Sequence, residues 1–285
     1  MATQAPDLDS AVRGSNLELE SRDFPAPEVL LLLGTGVEDI LPHLSDPHEV
    51  ALSDLPLAPS AWHNLPLIAG RCDGVRVWAL TDGPSHTAAS SDSAWARAWP
   101  IWLARAAGAG ACLLTTAGSP LDVPQSKAPS EGYLLVSDHI ILEGPSALRG
   151  LAGSNLGPLF PDQGGVHAAT IRRDLLLEAT RLGLHASEGI LATVPGPALE
   201  TPAERAYLAH TGADASAQDL GSLFHAMAHT GLGGLTLAVL LGNSPADVED
   251  LLRASERLAP GLVDLISAAI PHLAVQARNE REQEL

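Results

Sequence analysis

Apolar positions along this chain fall into two patterns. Short, mainly apolar runs at residues 29–33, 75–80, 111–114, 189–194 and 235–241 end at glycine, proline or threonine. Runs of that length read as strands buried on both faces. Residues 132–142 add a longer strand, interrupted by Ser137-Asp138-His139. Helical stretches lie between them: 37–41, 92–107 despite Pro100, 167–184, onward from Thr201, and 219–232. A long C-terminal helix is capped by residues 244–247 and broken near Pro260 and Pro271. Residues 51–74 form an irregular connection that ends in Asp73-Gly74, a hairpin-turn pair. The alternation of strand and helix predicts a single α/β domain over residues 27–275. A loose polar arm, 1–26, precedes it and a frayed polar tail, 276–285, follows it.

The strand at 189–194 opens into the most informative loop, Pro195-Gly196-Pro197-Ala198-Leu199-Glu200. A helix start follows at once. Thr201 is a good N-cap, Pro202 suits the first helical position, and Glu204 completes a capping box. Glu200 is the carboxylate between strand end and helix start. Open α/β sheets bind ligands beyond the carboxyl ends of their strands, which makes Glu200 a candidate site residue. A carboxylate there equally favours the positive end of a helix. The strand at 29–33 ends in Gly34-Thr35-Gly36, and such a turn ahead of a helix offers backbone N–H groups to an anion or is a plain tight turn.

Composition narrows the partners. The net charge of −18 over 285 residues repels nucleic acid and anionic membrane surfaces. Of 16 basic residues Lys127 is the only lysine, leaving 15 arginines. No signal-peptide pattern opens the chain, so a cytoplasmic protein is expected. Cys72 and Cys112 form no metal-ligand spacing, and no disulfide is expected. His225 and His229 stand four apart, but without an intervening glutamate the better reading is a polar helix face.

Several motifs occur together and in order: Gly196-Pro197-Ala198-Leu199-Glu200-Thr201, the strand with Asp138-His139-Ile140, and the turn Gly212-Ala213-Asp214. In this combination the chain resembles the purine nucleoside phosphorylases of the trimeric type, including the methylthioadenosine branch, from about residue 29 to 273. The resemblance implies a mixed, mostly parallel central sheet flanked by helices. It also implies cleavage of the N-glycosidic bond of a purine nucleoside by phosphate. No metal and no organic cofactor is needed; phosphate is the co-substrate.

The resemblance assigns roles residue by residue. Glu200 accepts from the N1–H edge of the purine and Asn243 holds its N7 side. Thr35 and His86 contact phosphate, and His63 lies near phosphate and ribose. Thr116 and Ala117, within Thr115-Thr116-Ala117-Gly118, lie beside purine and phosphate. Phe160, in Leu159-Phe160-Pro161-Asp162, closes the ribose pocket of a neighbouring subunit, which implies a homotrimer. Leu199 stands where an aromatic stacks on the base. Gln218 stands for a ribose-contacting methionine and Asp219 for a phosphate-contacting serine. Asp138 and His139 are mainly structural.

Departures cluster on the phosphate side. Pro84 stands where the family has an arginine, and Ala88-Ala89 replace a Tyr-Glu pair. A proline cannot imitate a guanidinium fork, and Asp219 adds a negative charge. Arg71 and Arg76 are the compensating cations expected by position. Two alternatives stay open: a nucleoside hydrolase that uses water, and a non-catalytic purine-binding or structural relative.

Overall fold

The computed structural model describes residues 7–34, 38–81, 83, 93–124, 126–242 and 248–283. Nine strands are present among them: β1 Val29–Leu33, β2 Ser45–Ala51, β3 Pro66–Cys72, β4 Val75–Thr81, β5 Ala111–Pro120, β6 Glu131–Ile141, β7 Ala186–Val194, β8 Ala215–Gln218 and β9 Gly234–Leu241. The helices are α1 Leu8–Ser21, α2 Trp99–Ala106, α3 Ala169–Arg181, α4 Pro202–His210, α5 Gly221–Thr230 and α6 Val248–Gln283.

All nine strands share one sheet, in the order β2-β3-β4-β1-β5-β8-β7-β6-β9, and β9 returns to pair with β5. The four apolar runs at 29–33, 111–114, 189–194 and 235–241 therefore lie in a common sheet, as expected. It is mixed: β1 runs parallel to β4 and β5, β5 to β9, and β7 to β6 and β8. The pairs β2–β3, β3–β4, β5–β8 and β6–β9 are antiparallel.

The length of β5 creates the key irregularity. Its first residues, Ala111–Leu114, pair with β1, whereas only Ser119 and Pro120 pair with β8. Between those contacts, on that edge, β5 passes from one neighbour to the other. Its opposite edge stays on β9 from Cys112 to Gly118. Strands β5, β8, β7, β6 and β9 thus close into a ring, and β1 and β8 diverge at its rim.

Helices cover both faces. Strand β1 alternates accordingly: Leu30 and Leu32 join a core with α1, α2 and α5, while Val29, Leu31 and Leu33 join a core with α3 and α6. The first core contains the buried Trp62, Trp78, Trp99 and Trp102. Buried indoles usually find acceptors, and three of these four do, Trp99 Nε1 being the exception. Trp62 donates to the Ala96 carbonyl at 2.8 Å, Trp78 to Pro25 at 2.7 Å, and Trp102 to His229 Nδ1 at 3.1 Å.

Four expectations need correction. Residues 8–21 are not a loose arm but helix α1, capped by Asp7, with Leu8, Ala11, Val12 and Leu19 buried. Within the stretch 51–74, residues 66–72 are strand β3 of a meander β2-β3-β4, whereas 52–65 are an irregular connection apart from short 3-10 turns at Leu52–Asp54 and Ser60–Trp62; the predicted Asp73-Gly74 hairpin is present with φ of 49° and 80°. The helix expected over 92–107 becomes α2 only at Trp99, after a short 3-10 turn at Ala96–Ala98. Helix α6 is continuous through Pro260 and Pro271 and runs into the predicted tail. Both prolines face solvent, where water can satisfy the carbonyls they leave unbonded. Ala277 seats the far end: a Cβ on Gly110 would meet the Ala277 Cα at 2.7 Å, so this approach requires glycine.

Within α6, residues 249–279 are long and apolar enough by composition to cross a membrane, with a mean hydropathy of 1.6 in the most apolar window. Half of that window is buried against the protein, and the covered face belongs to the α3–α6 core. Cys72 and Cys112 are both buried and free.

Candidate active site

A cavity of about 520 Å³ opens where β1 and β8 part. Leu33 and Gly34 bring the end of β1 to it. Residues 115–119 supply the middle of β5, Ser216, Ala217, Gln218 and Asp219 supply β8 and its exit, and Leu199 and Glu200 close one side. This is the crevice at a topological switch point where α/β sheets bind ligands.

The Glu200 loop is fixed at both ends. At its far end, Thr201 and Glu204 form the predicted capping box: Thr201 N–H donates to Glu204 Oε2 at 2.7 Å and Glu204 N–H to Thr201 Oγ1 at 3.3 Å. At its near end the Val194 carbonyl accepts from Asp219 N–H at 3.1 Å. The Gly212-Ala213-Asp214 turn supports the strand beneath. Asp214 accepts from Ile190 N–H at 2.8 Å through Oδ2 and from Ser126 Oγ at 2.5 Å through Oδ1.

At the β1 end, the Gly34 N–H donates to Thr115 Oγ1 at 2.8 Å. A Cβ on Gly34 would lie 2.9 Å from the Thr115 carbonyl oxygen, so the crossing admits glycine alone. One of the N–H groups expected to face an anion is therefore already bonded within the protein.

Of the residues expected from sequence, Glu200, Leu199, Thr116, Ala117, Gln218 and Asp219 all line the cavity. Glu200 is half-buried and Leu199 is exposed. His63 is not among the lining residues; its Nε2 lies 2.9 Å from the Ala58 carbonyl, while its neighbour Trp62 reaches the cavity wall. Phe160 is 89% exposed and does not line this chain's own cavity. Thr35, His86 and Asn243 lie outside the described residues, as do Pro84, Ala88 and Ala89.

The compensating arginines are not where position suggested. Arg71 donates to the Gly74 carbonyl at 3.1 Å within its hairpin, and Arg76 pairs with Glu28 at 3.7 Å. The arginine at the cavity is Arg97, which donates from Nε to the Asp219 carbonyl at 3.2 Å. Its signal in the sequence is a lone charge between Trp95 and Trp99, both of which are buried. Glu143 lies close enough to feel both groups. Burial raises its pKa, the Asp219 carboxylate adds to the rise, and Arg97 opposes it. Glu143 accepts from Gly221 N–H at 2.9 Å and from Thr193 Oγ1, which caps the start of α5.

Asp138 and His139 are not among the residues that line the cavity. His139 Nδ1 is 3.0 Å from His167 Nε2, its Nε2 is 3.1 Å from Gln163 Oε1, and its ring lies 4.5 Å from that of Phe224. No metal-binding cluster of His, Cys, Asp or Glu occurs among the described residues, and His229 is the acceptor for Trp102.

Residues 28–270 match the Phosphorylase superfamily model. The chain is 25% identical over 263 residues to purine nucleoside phosphorylase 1 of Geobacillus stearothermophilus, covering 88% of this chain and 93% of that protein. It is 23% identical over 254 residues to purine nucleoside phosphorylase 1 of Bacillus subtilis (strain 168), covering 86% and 92%. Among solved structures, isoform 2 of the Schistosoma mansoni purine nucleoside phosphorylase, in complex with cytosine and ribose-1-phosphate, superposes with a TM-score of 0.82 at 19% identity, covering 94% of this chain and 98% of that one. The schistosome enzyme bound to hypoxanthine gives 0.78 at 19% identity, covering 91% and 95%. The chain belongs to the Phosphorylase superfamily and is a divergent relative of its purine nucleoside phosphorylases.

Proposed function

We propose that the cavity binds a purine nucleoside and cleaves its N-glycosidic bond with phosphate, releasing the free base and a pentose 1-phosphate. The observation that carries this reading is the position of Glu200. A loop fixed at both ends brings Glu200 to the lining of a switch-point cavity together with the small-residue stretch 115–119 of β5. A cavity of about 520 Å³ falls within the range of small-molecule sites. The relatives named above add support from sequence.

In this reading Glu200 accepts from the N1–H edge of the purine and orients it. Asn243 donates to N7, a contact that strengthens as negative charge gathers on the departing base. Phosphate enters at the end of the cavity near Gly34, Thr115 and Arg97, with Thr35 and His86 as further ligands. Arg97 supplies a charged donor from a different segment than Pro84 occupies.

The test is incubation of the purified protein with inosine and guanosine, with and without phosphate, following free base. Base release that requires phosphate is the expected result. Release without phosphate makes the protein a hydrolase, and saturable purine binding without release makes it a non-catalytic relative.

A further inference from the structure

We propose that Gln218 and Asp219 are positioning residues for the Glu200 loop, rather than ligands of ribose and phosphate. This deepens the reading of the cavity as a purine nucleoside site and rests on it. Gln218 Nε2 donates to the Ala198 carbonyl at 2.9 Å. Asp219 Oδ1 accepts from Gly196 N–H at 3.3 Å, and Asp219 N–H donates to the Val194 carbonyl at 3.1 Å. Two adjacent side chains thus grip the loop at alternate residues, 196 and 198, just ahead of Leu199 and Glu200.

Backbone conformation points the same way. Asp219 has φ of 59°, in the left-handed region. Aspartate and asparagine tolerate that region better than most side chains, because they can bond locally. Arg97 Nε holds the Asp219 carbonyl at 3.2 Å and fixes the turn from the other side. The carboxylate is directed into a bond with its own loop. This bond through Oδ1 gives the side chain a role that needs no bound anion.

Loss of one such hydrogen bond is worth about two- to tenfold in affinity. The two roles differ in which ligand they affect. A loop support acts on everything Glu200 holds, so free base and nucleoside weaken together. A ribose ligand affects the nucleoside alone, and a phosphate-site charge affects phosphate alone.

The experiment compares wild type with Gln218→Met, Asp219→Gly and Asp219→Asn. Methionine keeps the length of Gln218 without the donor. Glycine keeps the left-handed backbone without the acceptor, and asparagine keeps both. Binding of hypoxanthine and of inosine is measured by calorimetry, together with the phosphate concentration that gives half-maximal turnover. Hydrogen exchange over residues 195–201 is followed without ligand. Gln218→Met and Asp219→Gly should weaken hypoxanthine and inosine by the same factor and speed exchange in the loop, and neither should weaken the phosphate response. Asp219→Asn should match wild type in binding of hypoxanthine and inosine and in loop exchange. Weakening of inosine alone by Gln218→Met would overturn the proposal, as would a weaker phosphate response in Asp219→Asn, the sign of a lost ligand rather than of a lost repelling charge, or loop exchange unchanged in Gln218→Met and Asp219→Gly. If wild type binds neither hypoxanthine nor inosine, the nucleoside reading fails, while loop exchange still decides whether Gln218 and Asp219 hold the loop.

Discussion

The main-chain N–H of Gly34 donates to Thr115 Oγ1 at 2.8 Å, joining residues 81 apart in sequence at the point where β1 and β5 separate. Thr115 is only 6% exposed. Replacing its hydroxyl by a methyl, Thr115→Val, keeps the shape and leaves the Gly34 donor unbonded. The bond is part-buried at the cavity edge, and losing it costs about 0.5–1.5 kcal/mol. A lower denaturation midpoint with unchanged steepness is expected. Gly34→Ala should be at least as harmful, since its new Cβ would lie 2.9 Å from the Thr115 carbonyl oxygen.

Glu200 should behave in the opposite way. It is half-buried and lies outside the helix whose cap Thr201 and Glu204 complete. Glu200→Gln should therefore leave the denaturation midpoint unchanged. In the proposed reading it removes a charged acceptor for the purine N1–H, and a charge-assisted hydrogen bond is worth about 1.5–3 kcal/mol. A fall in kcat/KM of about ten- to a hundredfold follows for inosine. Full activity in Glu200→Gln would place the base elsewhere.

These two residues mark what was legible in the sequence. The Thr201–Glu204 cap was plain because its signal lies within four consecutive residues, and the core strands were plain because their apolar runs are continuous. Helix α1 was missed because its buried stripe, Leu8, Ala11, Val12, Ser15 and Leu19, is narrow and includes a serine. That serine reaches the Pro56 carbonyl at 2.9 Å, a partner 41 residues away. Strand β2 was missed because most of its residues are exposed, so it shows no apolar run. Closure of the ring through β5–β8 and β5–β9, and the arrival of Arg97 beside Asp219, depend on long-range pairing that local pattern does not encode.

His167 gives a pH dependence of known sign. Burial pushes its pKa down to about 3, helped by His139 and by the Arg172 guanidinium and opposed by Asp138. Its Nδ1 is buried without a partner, so a proton there would have no acceptor. His225 and His229 are lowered as well, mainly by burial, with His139 adding to the effect on His225. In the unfolded chain histidine titrates near 6.5. The unfolded state therefore binds more protons between pH 6.5 and 3. The contribution of neutral His167 is fully present above pH 6.5 and is lost progressively as the pH falls toward 3. From pH 7.5 to 5 the loss is about 2 kcal/mol from this group alone. Denaturation midpoints at those two pH values should differ less in His167→Gln than in wild type, whatever the variant's stability at pH 7.5. Equal differences would remove His167 as the cause.

Phe160 is the residue on which the proposal of an oligomer turns. It is 89% exposed, with Leu159 beside it at 53%. Their segment is tethered nearby, where Gln163 meets His139 and Asp162 Oδ1 accepts from Gly164 N–H at 2.9 Å. A phenylalanine held outward on an anchored segment is placed to fill a pocket in another molecule. Full burial of such a side chain is worth about 1.5–3 kcal/mol. A homotrimer in which each Phe160 closes the ribose side of a neighbour's cavity is the assembly expected here. Sedimentation at micromolar concentration should give the mass of three chains. Phe160→Ala should leave the unfolding midpoint of the chain nearly unchanged, because the ring buries little within its own subunit. It should raise the KM for inosine about tenfold or more, while free hypoxanthine, which has no ribose to cover, binds as before. A monomer in sedimentation, or equal weakening of hypoxanthine and inosine, would rule out this arrangement.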